Sequence, residues 1–293
     1  MIKIRLPELF NKTETFRYLN RGKEEILFRV SGNRVRKLFK IENKLLLTQL
    51  TFENQNIKID FLQGIPSSHH LKLIENHIVE WFDLNTDLSK IYDGFRSVEL
   101  LSNLAHTYHG LRIIKVPDLY EALCWSIIGQ QINLSFAYQC KRNLVAEAGA
   151  YCTYESETFY SFPSPEDVLE ISDDTFRRMK FSSQKVKYIR IVSQLSTEKK
   201  ISKEQLLYMD YQKAKQTLMQ IKGIGEWSAN YVLMRCLGFK QALPLADVGL
   251  QNALKNQLNL ANKPGKEELL LITENWKGFE SYATFYLWQS LLV

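Results

Sequence analysis

Two groups of residues in the second half of the chain are placed to do chemistry. The first is Ile221-Lys222-Gly223-Ile224-Gly225-Glu226-Trp227-Ser228-Ala229. Gly223 can end one helix in a left-handed conformation, and Gly225 lets the backbone turn again before Glu226 opens the next. The amides of Ile224, Gly225 and the following turn then face solvent without an internal partner. That arrangement binds an anion, and a phosphate is the obvious occupant. The second group is Pro244-Leu245-Ala246-Asp247-Val248-Gly249, where a lone carboxylate follows a proline-bearing loop and opens an apolar run. Taken singly, these features also fit a capped helical hairpin and an ordinary N-capping aspartate. A dinucleotide fingerprint is excluded, because Ser228 replaces its third glycine and a helix rather than a strand precedes the turn.

The flanking sequence supplies the elements that must hold these groups. Ala214, Leu218 and Ile221 make one helical stripe, and Ala229, Val232, Leu233, Cys236 and Leu237 make a second. Residues 212–237 therefore read as a helix-hairpin-helix.

Gly223, Gly225, Trp227, Ser228, Ala229, Asn230, Tyr231, Pro244 and Asp247 together resemble the helix-hairpin-helix and Gly/Pro/Asp signature of the base-excision DNA glycosylases. Trp227 makes them most similar to the AlkA-type 3-methyladenine glycosylases. The resemblance extends to Phe82–Tyr92, Tyr108–Arg112 and Ile127–Gln131. It implies hydrolysis of the N-glycosidic bond of alkylated purines, 3-methyladenine and 7-methylguanine among them, turned out of double-stranded DNA. Asp247 is then the catalytic carboxylate, Trp227, Tyr231 and Trp288 line the base pocket, and Gly223, Ile224, Gly225 and Ser228 grip the DNA backbone. Gln130 and Gln131 probe the duplex beside the lesion, and Ser182 and Lys185 form a second backbone contact. Glu226 suits the helix dipole but would repel a phosphate unless its side chain pointed away. Trp227 occupies the position where strand-cleaving relatives carry a lysine, and Lys222 is not equivalent to it, so the resemblance implies no lyase step. It implies no metal-dependent step or cofactor beyond a structural monovalent cation on hairpin carbonyls. Two alternatives stay open: a glycosylase for oxidised or deaminated purines, and a non-catalytic module that only grips DNA.

The 293 residues, 45% hydrophobic and 24% charged, suit a folded chain with a large core, and the net charge of +6 is compatible with a polyanion partner. Cys124, Cys140, Cys152 and Cys236 are scattered, so free thiols are expected and an iron-sulfur cluster is not. No apolar run reaches the ~20 residues of a membrane span, and a cytoplasmic monomer is expected.

The expected fold class is α+β, with a small antiparallel-sheet domain over residues 1–95 and an all-helical glycosylase domain over 96–293. Ile26–Val30, Val35–Ile41, Leu45–Phe52 and Ile57–Leu62 alternate in short runs broken by turns, as successive hairpins do. Arg34, Arg36, Lys37, Lys40 and Lys44 read as a solvated sheet face, and His69, His70 and His77 as surface histidines. Ser67, Asp118, Ser164 and Ser182 are expected N-caps. The last helix, Phe279 to Leu292, carries Tyr282, Phe285, Tyr286 and Trp288.

Overall fold

The structure is a computed structural model and describes residues 2–292. Strands β1 (Ile2–Arg5), β2 (Phe28–Ser31), β3 (Arg34–Ile41), β4 (Lys44–Phe52) and β5 (Asn56–Gln63) form one antiparallel sheet in the order β1-β5-β4-β3-β2. Four of these strands follow the alternation of the sequence. The edge strand β1 and the helix α1 (Lys12–Leu19), capped by Asn11, were not expected. Leu50 pairs with Val35 on one side and Ile59 on the other, so a continuous apolar row faces the core. Helix α2 (Ser68–Trp81) lays Ile74, Ile78 and Trp81 into the same core, and α3 (Leu88–Phe95) and α4 (Glu99–Thr107) follow.

Both faces of the sheet are covered, which corrects the reading of a solvated basic face. The helical run expected from Pro117 is interrupted by a hairpin, β6 (Tyr151–Tyr154) and β7 (Glu157–Tyr160), whose Cys152 and Phe159 pack on Leu38 and Leu47. Arg36 pairs with Glu155 at 2.9 Å, Lys40 with Asp167 at 3.1 Å, and Lys37 is buried. Only Arg34 and Lys44 of that group have unengaged, exposed side chains. Two of the three histidines are corrected too, while His69 is exposed as expected. His70 is buried and closes a capping box with Ser67, while His77 lies edge-on to Phe39. Burial pushes the His77 imidazole well below its usual range, with the Lys37 charge adding to the effect.

The helical part begins with α5 (Leu119–Ile128) and α6 (Leu134–Ala148). Helix α5 is apolar on nearly every side and is buried accordingly. After the β6–β7 hairpin come α7 (Pro165–Leu169), α8 (Asp173–Arg178), α9 (Ser183–Thr197) and α10 (Lys203–Leu207). Helices α11 (Tyr211–Met219) and α12 (Glu226–Val232) form the helical hairpin, and α12 runs on into a π-helical turn, Leu233–Leu237. Helices α13 (Val248–Gln257), α14 (Lys266–Thr273) and α15 (Glu280–Gln289) complete the chain. Helix α15 threads back into the first half: the Tyr282 hydroxyl donates to Asp83 and that of Tyr286 to the Leu111 carbonyl at 2.8 Å. Among the described residues no helix is long and apolar enough to cross a membrane.

Candidate active site

Helix α11 ends earlier than expected, at Met219 with Gln220 as its C-cap; Gly223 turns the chain beyond it at φ +98°, and a Cβ there would stand 2.2 Å from the ring of Tyr188 on α9. Backbone geometry and close packing thus both require glycine. Gly225 differs from the expectation. Its φ of −89° suits any residue, and it serves as the N-cap of α12 without a side chain that could occupy the amides. The Ile224 amide is not free either, because it donates to the Ile221 carbonyl at 2.9 Å. The amides without a partner among the described residues are those of Gly225, Glu226, Trp227 and Ser228, at the start of α12. Glu226 is held away from them by Lys215, 2.6 Å from its carboxylate, and that contact lowers the Glu226 pKa.

Ser228 is buried, with its hydroxyl accepting from the Gln130 amide at 3.0 Å, and the same Gln130 nitrogen donates to the Gly223 carbonyl at 2.8 Å. These two side chains bolt the hairpin to the end of α5. Gln131 behaves differently: it is exposed at φ +55° in the turn between α5 and α6. Ser182 caps α9, and the Lys185 ammonium turns inward to the Ile128 carbonyl at 2.7 Å, supporting the turn that carries Gln131.

Asp247 caps α13 after the Pro244 turn, with Oδ1 accepting from the Leu250 amide at 2.7 Å. Two indoles converge on the same carboxylate: Trp288 Nε1 donates to Oδ1 at 2.8 Å and Trp227 Nε1 to Oδ2 at 2.9 Å. An ionised carboxylate accepts all three without conflict, and Oδ2, with a single donor, keeps a lone pair for a further partner. Such a group can orient or deprotonate a water and can face a developing positive charge. Tyr231 lies between the indoles, its ring 5.7 Å from Trp227 and 6.2 Å from Trp288. Burial pushes its hydroxyl up to about 12.

Gly249 escaped the sequence reading. A Cβ there would lie 2.9 Å from Asp247 Oδ1 and 3.2 Å from Trp288 Nε1, so any side chain would wedge between acceptor and donor. The available signal was a glycine in the first turn of a helix, where its conformational freedom is costly. Arg235 was missed as well. It is buried on the π-helical turn, and its Nη1 lies 3.3 Å from the Tyr231 hydroxyl.

A helical hairpin with outward amides, followed by a proline turn and a fixed aspartate, defines a base-excision architecture, and the chain belongs to the HhH-GPD superfamily of base excision DNA repair proteins. That family matches residues 124–278, and the N-terminal domain of 8-oxoguanine DNA glycosylase matches residues 2–123. Among relatives, a DNA-3-methyladenine glycosylase of Bacillus subtilis is 38% identical over 99% of this chain and 97% of its own. Two solved structures share the fold. A 3-methyladenine DNA-glycosylase from Archaeoglobus fulgidus has a TM-score of 0.85 at 21% identity, covering 98% of this chain and 97% of that one. A Clostridium acetobutylicum 8-oxoguanine glycosylase/lyase bound to double-stranded DNA has a TM-score of 0.74 at 18% identity, covering 97% and 92%.

Proposed function

We propose that the protein is a monofunctional DNA glycosylase that hydrolyses the N-glycosidic bond of alkylated purines turned out of duplex DNA. The observation that carries this reading is the Asp247 carboxylate, fixed by the indole N–H groups of Trp227 and Trp288 beside the ring of Tyr231. The name and extent of the Bacillus subtilis relative support it.

In this reading the α12 amides take a phosphate and set the register on the duplex without reading its sequence. Extruding the base costs a few kcal/mol, which stacking on Trp227, Tyr231 and Trp288 recovers; a cationic alkylated base gains about 0.5–2 kcal/mol more per ring. Gln131, exposed on its turn, fills the gap left in the stack. As the bond to C1′ breaks, the electron pair neutralises the departing cation and positive charge develops on the sugar. Asp247 Oδ2 faces that charge and takes a proton from the water that adds to C1′. One carboxylate suffices because the alkylated base already leaves readily. Asp247 and its three donors all come from one chain, so the site is complete in a monomer. A monovalent cation would draw on the remaining lone pairs of the Ile221 and Gly223 carbonyls, which already accept one hydrogen bond each, and no step passes through it.

The hairpin lysine, Lys222, is exposed and precedes the turn, while Trp227 holds the position facing Asp247. We therefore assign no lyase step. The test is a labelled duplex with one 7-methylguanine, read with and without hot alkali. The expected product is an abasic strand that breaks only in alkali. Breakage without alkali, with a borohydride-trapped protein–DNA adduct, would overturn the monofunctional assignment, and intact DNA in both lanes would overturn the glycosylase.

A further inference from the structure

Where the sheet meets the helices, the fold leaves a cavity of about 60 Å³ that the chemistry above does not use. That is room for about two waters, each with a share of about 30 Å³ in the liquid, and too little for a purine. Trp227, Asp247 and Trp288 are not among its walls. Five Arg and Lys side chains and two carboxylates line it, so its charge is unbalanced.

The carboxylates are already engaged. Glu25 and Glu121 accept from Lys141 at 3.0 and 3.1 Å, and Glu25 also accepts from the amides of Ile26 and Leu27. Lys115 pairs with Asp83 at 2.7 Å. Arg21, Lys37 and Arg235 are left without an ion pair among the described residues. The Arg21 guanidinium lies 3.5 Å from the centre of the Tyr18 ring, and the Lys37 ammonium lies 5.4 and 5.5 Å from the rings of Phe39 and Trp81. Arg235, 3% exposed on the π-helical turn, donates from Nη1 to the Tyr18 hydroxyl at 2.7 Å and to that of Tyr231 at 3.3 Å, and its Nε is buried without a partner. A hydroxyl that accepts from a guanidinium directs its own hydrogen elsewhere. Neither phenol hydrogen meets an acceptor among the described residues.

Buried cations without a counter-charge are costly. Burial lowers the Lys37 pKa, and a negative charge in the cavity would act against that. The cavity thus surrounds the space of one small ion with ammonium, guanidinium and phenol donors, its own acceptors being occupied. We propose that it is a binding site for a small inorganic anion of the halide class, with chloride the occupant, held by Arg235, Lys37 and the hydroxyls of Tyr18 and Tyr231. This site is separate from base release and does not depend on the glycosylase reading. Its donors come from α1, β3 and the π-helical turn, so the bound ion ties the sheet domain to the helices, and anion binding is linked to folding.

The test is the melting temperature of the full chain as sodium chloride replaces sodium gluconate at constant ionic strength, for the wild type, Lys37→Met and Tyr18→Phe. Gluconate is too large for the cavity, and constant ionic strength holds general screening fixed. The wild-type melting temperature is expected to rise with chloride and to level off as the site fills. Lys37→Met keeps an apolar chain against Phe39 and Trp81 but no charge, and should lose the rise. Tyr18→Phe keeps the ring 4.7 Å from that of Phe285 and should need roughly ten- to a hundredfold more chloride for half the effect, the loss of one hydrogen bond to a charged group. Bromide should give an anomalous-scattering peak inside the cavity in wild-type crystals, a measurement that needs neither variant to fold. Equal wild-type melting in the two salts, a rise that Lys37→Met keeps in full, or bromide found only on the outer surface, as an adventitious ion only, would each overturn the site.

Discussion

Asp247 draws its three donors from α12, α13 and α15, so its orientation depends on side chains 20 and 41 positions away. A hydrogen bond to a charged group contributes about 1.5–3 kcal/mol. Replacing either indole with phenylalanine keeps a ring but loses the donor, and Trp288→Phe or Trp227→Phe should slow base release roughly ten- to a hundredfold. Single-turnover rates alongside melting curves check this; a rate within twofold of the wild type would show that the indoles only pack. Gly249→Ala should resemble Trp288→Phe, because its methyl would part Asp247 from Trp288. The aspartate, the hairpin tryptophan and Gly223 were legible because glycine and proline punctuate the chain. The indole N–H contacts were not, since they depend on rotamers and on helix crossings that no local spacing encodes.

At the level of the element, the hairpin separates two glycines that look alike in sequence. Gly223→Ala faces both a left-handed backbone and the ring of Tyr188. It should destabilise the fold by about 2–5 kcal/mol in urea melts, the sum of the two penalties. At Gly225 a Cβ meets nothing of the protein within 4 Å. Gly225→Ala should leave stability within about 0.5 kcal/mol while weakening DNA binding, because its methyl crowds the path to the α12 amides. Loss of stability in both variants, or in neither, would contradict this division of labour. The helices were readable from their caps and 3.6-residue stripes. The β6–β7 hairpin was not, although Tyr151 to Tyr160 alternates, because its turn is Glu155-Ser156 at φ +48° and +63° in place of the usual Asn-Gly or Asp-Gly. Without that hairpin over Leu38 and Leu47, the basic sheet face reads as solvated.

Across the whole molecule, the sheet and the helices meet over buried charge, with His77, Lys37 and the Glu25–Lys141–Glu121 network packed around the same cavity. Burial first, and then the Lys37 charge, depress the His77 pKa in the folded protein. The unfolded chain therefore binds a proton more readily than the folded one, and stability falls as the pH drops below about 6.5, the histidine value in an unfolded chain. Melting temperature should decline from pH 7 to pH 5, and His77→Leu should flatten that part of the profile. An equal decline in the variant would place the acid sensitivity elsewhere. None of these contacts was legible beforehand, since each joins residues far apart in sequence and depends on which sheet face the second half covers.

The most direct test of the account concerns Asp247→Asn, because asparagine caps a helix as well as aspartate does and so removes the charge while keeping the start of α13. Base release from methylated duplex DNA and binding to the same duplex would be measured for wild type and variant at one salt concentration, since salt alone shifts DNA affinity strongly. The account predicts that the variant binds with wild-type affinity and releases no 3-methyladenine above background. Release at the wild-type rate by Asp247→Asn would contradict the central role of the carboxylate.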